Sequence, residues 1–369
     1  MTKTNDYLVK KMLDEQSKER SAQKALQLFH KIKIHPVIGY LIFAVVLIVM
    51  QSLATEKVIS TSFIGAVGST LIYCIVGLGF CLLLGYSALA SLGTAGFIGL
   101  GAYSCYYCLS EYGVSVGVAF LMAIALAIGV GVFVGVISLR IEGIYLAIVT
   151  LGVSQIIKEV LSALVDTIKI SPRDIVLAGV QLNIREVKQA VFYLIVAILL
   201  LIMWIIHNLI NSPTGRAMLA MKNSTSAAQA FGISLMKYRL LAFVLSTILA
   251  SIAGLLYMLY IRAEQNSVGT LFTLSTSLNI LGAVIIGGTK SIWGTIGGTF
   301  IIFGIDKMFL QDIKFFNENP TLITIICGLL VILVVMFFPG GLVQLFRTAI
   351  FKLKMLFAKW RVRRYGIEE

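Results

Sequence analysis

From Gly117 to Leu139 the chain reads Gly-Val-Ala-Phe-Leu-Met-Ala-Ile-Ala-Leu-Ala-Ile-Gly-Val-Gly-Val-Phe-Val-Gly-Val-Ile-Ser-Leu, 23 residues without a charge. A helix at a soluble surface must show water one polar face, so its apolar residues recur three and four apart. Here no face is polar, and the run is long enough to cross a hydrocarbon core about 30 Å thick. Val37 to Ala54 and Leu322 to Phe338 are uncharged in the same way. The rest of the 369 residues agree: 59% are hydrophobic, 13% are charged, and the mean hydropathy is +0.96. A soluble domain carries roughly a quarter charged residues. This composition excludes a cytosolic enzyme and predicts an all-α polytopic membrane protein.

Apolar runs and turn signals predict about ten transmembrane helices, at 36–55, 62–85, 89–109, 114–139, 144–165, 188–211, 239–261, 271–288, 292–311 and 321–339. The net charge of +13 could suggest nucleic acid, so the placement of the 30 Lys and Arg decides its meaning. Residues 1–36 hold eight, 212–239 hold four with no acid, and 344–369 hold seven. Basic blocks between spans mark the cytoplasmic side. Ten crossings would put all three blocks, and both termini, on that side. The blocks are too short to build a nucleic-acid surface of stacking aromatics, so no nucleic-acid partner is expected. The chain thus divides into a basic tail at 1–35, a membrane domain at 36–342 and a second basic tail at 343–369. In the first tail Leu8, Met12, Ala22, Leu26 and Phe29 fall near helical spacing and could lie on the inner leaflet. That tail lacks the apolar core of a secretory signal.

Chemistry-bearing groups are sparse. Cys105-Tyr-Tyr-Cys108 has a redox or metal spacing, yet no second pair or nearby histidine completes a zinc site. No metal and no catalytic residue is expected. Lys158 with Glu159, and Asp306 with Lys307, fall toward the outer ends of their spans, where they can snorkel or mark a polar path. Gly282 to Ser291 resembles a phosphate-binding loop but puts Lys290 two positions too late, so the chain should not bind ATP itself. Glycines within the spans suit close helix packing. Gly85-Tyr86 leading to Gly93-Thr94-Ala95-Gly96 is echoed by Gly287-Gly288 leading to Gly294-Thr295-Ile296-Gly297, a weak internal repeat of the kind transporters use.

The most informative polar segment is 212–238. Pro213 can open a helix and Gly232 can end one, which predicts a short helix between the sixth and seventh spans. Met218, Leu219, Met221 and Phe231 read as exposed anchors for a groove on a partner. A helix lying on anionic headgroups is the alternative.

An ordered set of motifs carries a resemblance. It runs from Gly85-Tyr86, Ser91-Leu92-Gly93 and Gly99-Leu100-Gly101-Ala102-Tyr103 to Leu139-Arg140-Ile141-Glu142-Gly143-Ile144-Tyr145-Leu146-Ala147. It continues through Gly215-Arg216-Ala217, Ala227-Ala228 with Gly232, and Tyr238-Arg239, then Gly287-Gly288, Trp293-Gly294 and Phe338-Pro339-Gly340-Gly341-Leu342. Over roughly 79–342 the chain resembles the permease subunits of branched-chain amino-acid ABC importers, within them the LivM type. The resemblance implies no cofactor on this chain, with ATP bound and hydrolysed by two partner ATPase subunits. It also implies a second permease of LivH type, an extracellular solute-binding protein, and a multi-pass place in the lipid of the cell membrane. Gly215, Arg216, Ala217, Ala227, Ala228 and Gly232 would form the loop that couples to the ATPase. Ser91, Thr94, Tyr145, Thr150 and Asn279 would flank the substrate path. Ala88, Leu89 and Thr94 replace the family's usual glycine, glutamine and histidine, and Ser226 replaces an acid. These departures leave the solute open between branched-chain amino acids and a urea or amide. From the residues alone, an ion-coupled secondary carrier is the competing reading.

Overall fold

The computed structural model describes residues 36–56, 60–138, 143–164, 176–177, 180–181, 184–261 and 273–305, with a few positions from 308 to 348. Two compact units are present: Met1–Tyr40 with Gln344–Glu369, of which few residues are described, and Leu41–Val343. The architecture below belongs to the second. In chain order the helices are α1 (Pro36–Thr55), α2 (Thr61–Phe80), α3 (Thr94–Tyr106), α4 (Val116–Ser138) and α5 (Ile144–Leu164). Then follow α6 (Ile184–Asn211), α7 (Pro213–Asn223), α8 (Thr225–Ala230), α9 (Leu235–Ile261), α10 (Leu274–Gly287) and α11 (Ile292–Thr299). Helices α2, α3 and α11 each pass into a π-helical turn, at Cys81–Tyr86, Tyr107–Glu111 and Phe300–Gly304. The described strands are β1 (Val176–Leu177) and β2 (Val180–Gln181), an antiparallel pair of two residues each.

Among the described residues six helices are long and apolar enough to cross a membrane: α1, α2 with its π-turn, α4, α5, α6 and α9. The described residues are thus almost wholly helical, as a membrane protein crossing lipid by helices requires. The expected ten helices are not all of that kind. The run predicted at 89–109 is helical only from Thr94, because the chain from Ala88 to Gly93 is irregular. Ala88 lies in the left-handed region at φ 56, which stops the preceding helix. The runs at 271–288 and 292–311 give α10, of 14 residues, and α11, of eight residues with a five-residue π-turn. Gly288, at φ 107, turns the chain between them. Most of the tenth run lies outside the described residues, as do the first tail, most of the second, Cys327, Asp306 and Lys307.

Helices α2, α3 and α9 form the centre, and α1, α4 and α5 form the rim. In the most apolar stretch of α2, 94% of residues are buried, against 28% in α1 and α4 and 22% in α5. Lipid supplies no solvent-driven force between helices, so close backbone approach and interhelical hydrogen bonds must hold them. Helices α3 and α9 cross on a reciprocal glycine contact: a Cβ on Gly101 would fall on the Ser251 carbonyl, and one on Gly254 on the Ile98 carbonyl. On its other side α9 donates from Ser251 Oγ to Ala123 O of α4 at 3.0 Å and from Tyr260 Oη to Ile64 O of α2 at 3.1 Å. Helices α10 and α11 meet the same way, since Gly287, Gly294 and Gly298 leave no room for side chains. The Tyr73 and Phe303 rings, stacked at 4.1 Å, lock the α11 π-turn onto α2.

Candidate functional site

The segment between α6 and α9 is built by its caps. Ser212, in extended conformation, accepts a hydrogen bond from Gly215 N at 3.3 Å, and Pro213 occupies the first turn of α7, where its missing N–H costs nothing. Gly215 sits against the carbonyls of Leu209 and Ile210, so only glycine lets α7 fold back this tightly on α6. Ser224 then breaks the helix at φ −159 and caps α8 by accepting from Ala227 N at 3.2 Å. Gly232, at φ 77, ends α8 while Ile233 N donates to Ala228 O at 3.0 Å, closing the last turn before α9. Two helices thus stand where the sequence predicted one.

The faces of this segment differ from expectation. Met218 is fully buried and Met221 is 2% exposed, so they are not anchors for a partner. Gly215, Met218 and Met221 recur three apart, and this stripe packs α7 against α6, α9 and the π-turn of α2. Leu219 is half-buried, and Ala228 is buried. Phe231 is 85% exposed, and Arg216, Ala227 and Gly232 also face outward. Ala217 is half-buried. Arg216 Nη1 donates to Asn211 O at 3.0 Å, which holds the guanidinium near the α6–α7 turn. The outward set therefore keeps Arg216, Ala227, Gly232 and Phe231 of the predicted surface and loses both methionines.

Lys222 ties α7 to the rest of the bundle. Its Nζ donates to Leu84 O at 3.0 Å and to Gly85 O at 2.8 Å, in the π-turn that ends α2. Carbonyls at a helix end lack partners within the helix, and a cation there also meets the negative end of the dipole. Burial, and then the neighbouring Lys290 charge, lower the Lys222 pKa from its ordinary value. Gly85 is in turn pressed on the backbone of Thr289, where a side chain would collide with the carbonyl oxygen. Tyr86 Oη donates to Lys290 O at 3.1 Å, and Cys81 Sγ donates to Thr289 O at 3.2 Å. Helix α7, the end of α2 and the α10–α11 turn are thus one knot. Sequence reading singled out Gly85-Tyr86 and Gly287-Gly288 as echoes of each other but did not foresee that these stretches touch, nor that Lys222 clamps them. The lone cation in the last turn of α7 was the available signal.

Behind the knot, the irregular stretch Ala88 to Gly93 enters the bundle and delivers the N-terminus of α3 to its interior. The first N–H groups of a helix have no partner within it, and in lipid no water replaces one. Hydroxyls do so here. Leu92 N donates to Thr150 Oγ1 at 3.1 Å, Ala95 N to Ser277 Oγ at 3.0 Å and Gly96 N to Ser154 Oγ at 2.9 Å. Ser91 Oγ accepts from Gly93 N at 3.3 Å. Ser91 and Thr94 line a narrow cavity with Leu83, Phe97, Phe243 and Ser246. Of the residues expected along a path, Ser91, Thr94 and Thr150 are buried together around this stretch. Asn279, half-buried on α10, lies two residues from Ser277. Tyr145 is 71% exposed at the start of α5, apart from the cluster. Ser154 and Ser277 were not foreseen, because a hydroxyl within an apolar run carries no mark of which backbone N–H it will meet. Among the described residues no three His, Cys, Asp or Glu converge on a point that could hold a metal ion.

Residues 62–337 match the profile of a family described as branched-chain amino acid transport system / permease component. The chain is 29% identical over 340 residues to the high-affinity branched-chain amino acid transport system permease protein LivM of Escherichia coli, covering 85% of this chain and 77% of that one. The LivM protein of Salmonella typhimurium matches with the same identity and coverage, 29% over 85% and 77%. A probable LivM of Methanocaldococcus jannaschii is 28% identical over 62% of this chain and 69% of its own. No solved structure matches significantly. With three quarters of its length inside that profile, the chain belongs to the branched-chain amino acid transport permease family.

Proposed function

We propose that this chain is one of two permease subunits in an ATP-driven importer of branched-chain amino acids, moved by partner ATPases that bind the 212–238 segment. The observation that carries the reading is the Lys222 knot. An exposed segment that ends in Phe231 is fastened by α7 to the end of α2 and to the α10–α11 turn, so displacement of the segment must displace the bundle. A lever of this kind biases two packings of a helical bundle, which is what alternating access requires. Lys290 stands two positions too late for a phosphate-binding loop, and in this reading ATP is bound and hydrolysed by the ATPase subunits. An extracellular solute-binding protein delivers the solute, and the second permease is of LivH type. The three basic blocks, and with them both termini, face the cytoplasm. The solute passes near Ser91, Thr94, Thr150 and Asn279.

The test is uptake of radiolabelled leucine by proteoliposomes holding the complete complex with its binding protein. ATP inside the vesicles should drive accumulation, and a proton or sodium gradient without ATP should not. Accumulation driven by an ion gradient with this chain alone would overturn the proposal.

A further inference from the structure

A hydroxyl buried in a helical bundle without a partner is a cost, and each one calls for a reason. Around the start of α3 most hydroxyls are spent. Those of Thr150, Ser154 and Ser277 accept from the N–H groups of Leu92, Gly96 and Ala95. The narrow cavity between the end of α2, α3 and α9 is lined by four more hydroxyl residues, Ser91, Thr94, Ser246 and Thr247. Ser91 Oγ accepts from Gly93 N, and Thr247 Oγ1 donates to Val244 O at 2.8 Å. Thr94 and Ser246, 5% and 6% exposed, carry hydroxyls with no partner among the described residues. Ser87, Ser138 and Thr295 are orphaned too, but none of them lines this cavity.

Thr94 is also the first residue of α3. Gly93 before it offers no side-chain cap, and the Thr94 N–H has no partner among the described residues. With 13 residues, α3 presents at this end the positive pole of a dipole worth about half a charge. No side chain lining the cavity is charged, so the helix end sets the sign of the potential there. An anion is favoured and a cation is not. The rest of the lining is apolar: Leu83, Ala250 and the rings of Phe97 and Phe243, edge to face at 6.0 Å. Three unspent donors and an apolar wall in one cavity suit a compact carboxylate that carries an aliphatic chain.

We infer that this cavity takes the carboxylate of the solute, held by the Thr94 N–H and by the hydroxyls of Thr94 and Ser246. The inference rests on the importer reading above and adds which end of the solute meets which atoms. In the present packing the cavity encloses about 10 Å3, the room of one water, so the solute enters in the second packing that alternating access requires. Helices α3 and α9 supply one hydroxyl each, and movement of α9 against α3 opens or closes the pair. Urea or a neutral amide lacks the anion that this helix end attracts, which favours an amino acid as solute.

The test is ATP-driven leucine uptake by the complete complex in proteoliposomes, read beside its melting temperature. Thr94→Val removes one hydroxyl at nearly constant shape and should lower maximal uptake on the order of tenfold to a hundredfold, the worth of one hydrogen bond to a charged group. Ser246→Ala should act in the same direction, and Thr94→Ser should keep most of the rate. The concentration of loaded binding protein that gives half-maximal uptake should not change. Because both hydroxyls are unpartnered, neither Thr94→Val nor Ser246→Ala should lower the melting temperature. Undiminished uptake in Thr94→Val, or a loss of uptake matched by a loss of thermal stability, would overturn the assignment. The sign of the site is read from Thr94→Asp, which fixes a carboxylate where the solute's would sit and should transport less than Thr94→Asn. Uptake by the Asp variant equal to or above that of the Asn variant would remove the carboxylate from this place. Uptake by the unmodified complex is scored separately: if it does not need ATP, the importer reading fails, whereas ATP-driven uptake that is indifferent to Thr94 and Ser246 removes only the site.

Discussion

Replacing Lys222 by methionine keeps a long unbranched stem and removes the head that bonds Leu84 O and Gly85 O. A hydrogen bond from a charged donor contributes about 1.5–3 kcal/mol when solvent is excluded. The site is half-buried, and water can replace part of the loss, so the two bonds together are set at about 2 kcal/mol. That is about a thirtyfold change in the equilibrium between the fastened and loosened knot. If segment 212–238 conveys its position through this knot, ATP-driven uptake should fall by up to that factor while the complex continues to hydrolyse ATP. Lys222→Arg should restore only part of the coupling, because a planar fork cannot place one donor centre between two adjacent carbonyls as an ammonium does. Uptake and hydrolysis are measured on the same reconstituted preparation, with thermal unfolding to verify that the fold persists. Transport per ATP unchanged in Lys222→Met would refute the assignment of the clamp as the transmitting contact.

Three other outcomes follow from the geometry. Ala88→Gly should raise the melting temperature in detergent by relieving a left-handed alanine, worth about 0.5–1 kcal/mol after glycine's own entropic cost; an unchanged or lower value would contradict the strain at φ 56. Ser277→Ala leaves the buried Ala95 N without its acceptor and should destabilise by about 1–3 kcal/mol, whereas Ser275→Ala, at an exposed position on the same helix, should change little. At Gly232, open space surrounds the Cβ position and φ is 77, so the conformation matters and side-chain size does not. Gly232→Asn should transport nearly normally and Gly232→Val should lose stability by about 1–2 kcal/mol, measured as uptake and melting temperature; equal behaviour of the two would sink this account.

The long spans were legible because every position in them obeys one rule. Where a run such as Gly117 to Leu139 is apolar on all sides, no tertiary information is needed to place it in lipid. The start of α3 was not legible for the opposite reason. Its boundary depends on one alanine in the left-handed region and on hydroxyls from α5 and α10 that reach it from 58 and 182 residues away. No local pattern marks such bonds. At the 212–238 segment Pro213 and Gly232 announced the ends, but Ser224, a capping residue by type, went unread, so two helices looked like one. The methionines were misassigned because a three-residue apolar spacing says that one face is buried, and does not say against what. Here the bundle itself covers Met218 and Met221, and of the four apolar residues read as anchors only Phe231 is exposed.

Helix α9 begins where the exposed segment ends and then touches α2, α3, α4 and α6 in turn. Its 27 residues span about 40 Å, so a tilt of about 5° about one end sweeps the other by about 3.5 Å. A rod geared to four neighbours at once cannot swing alone. Small strokes applied at Gly232 would arrive across the molecule as one concerted shear, with the glycine crossing at Gly101 and Gly254 as its bearing.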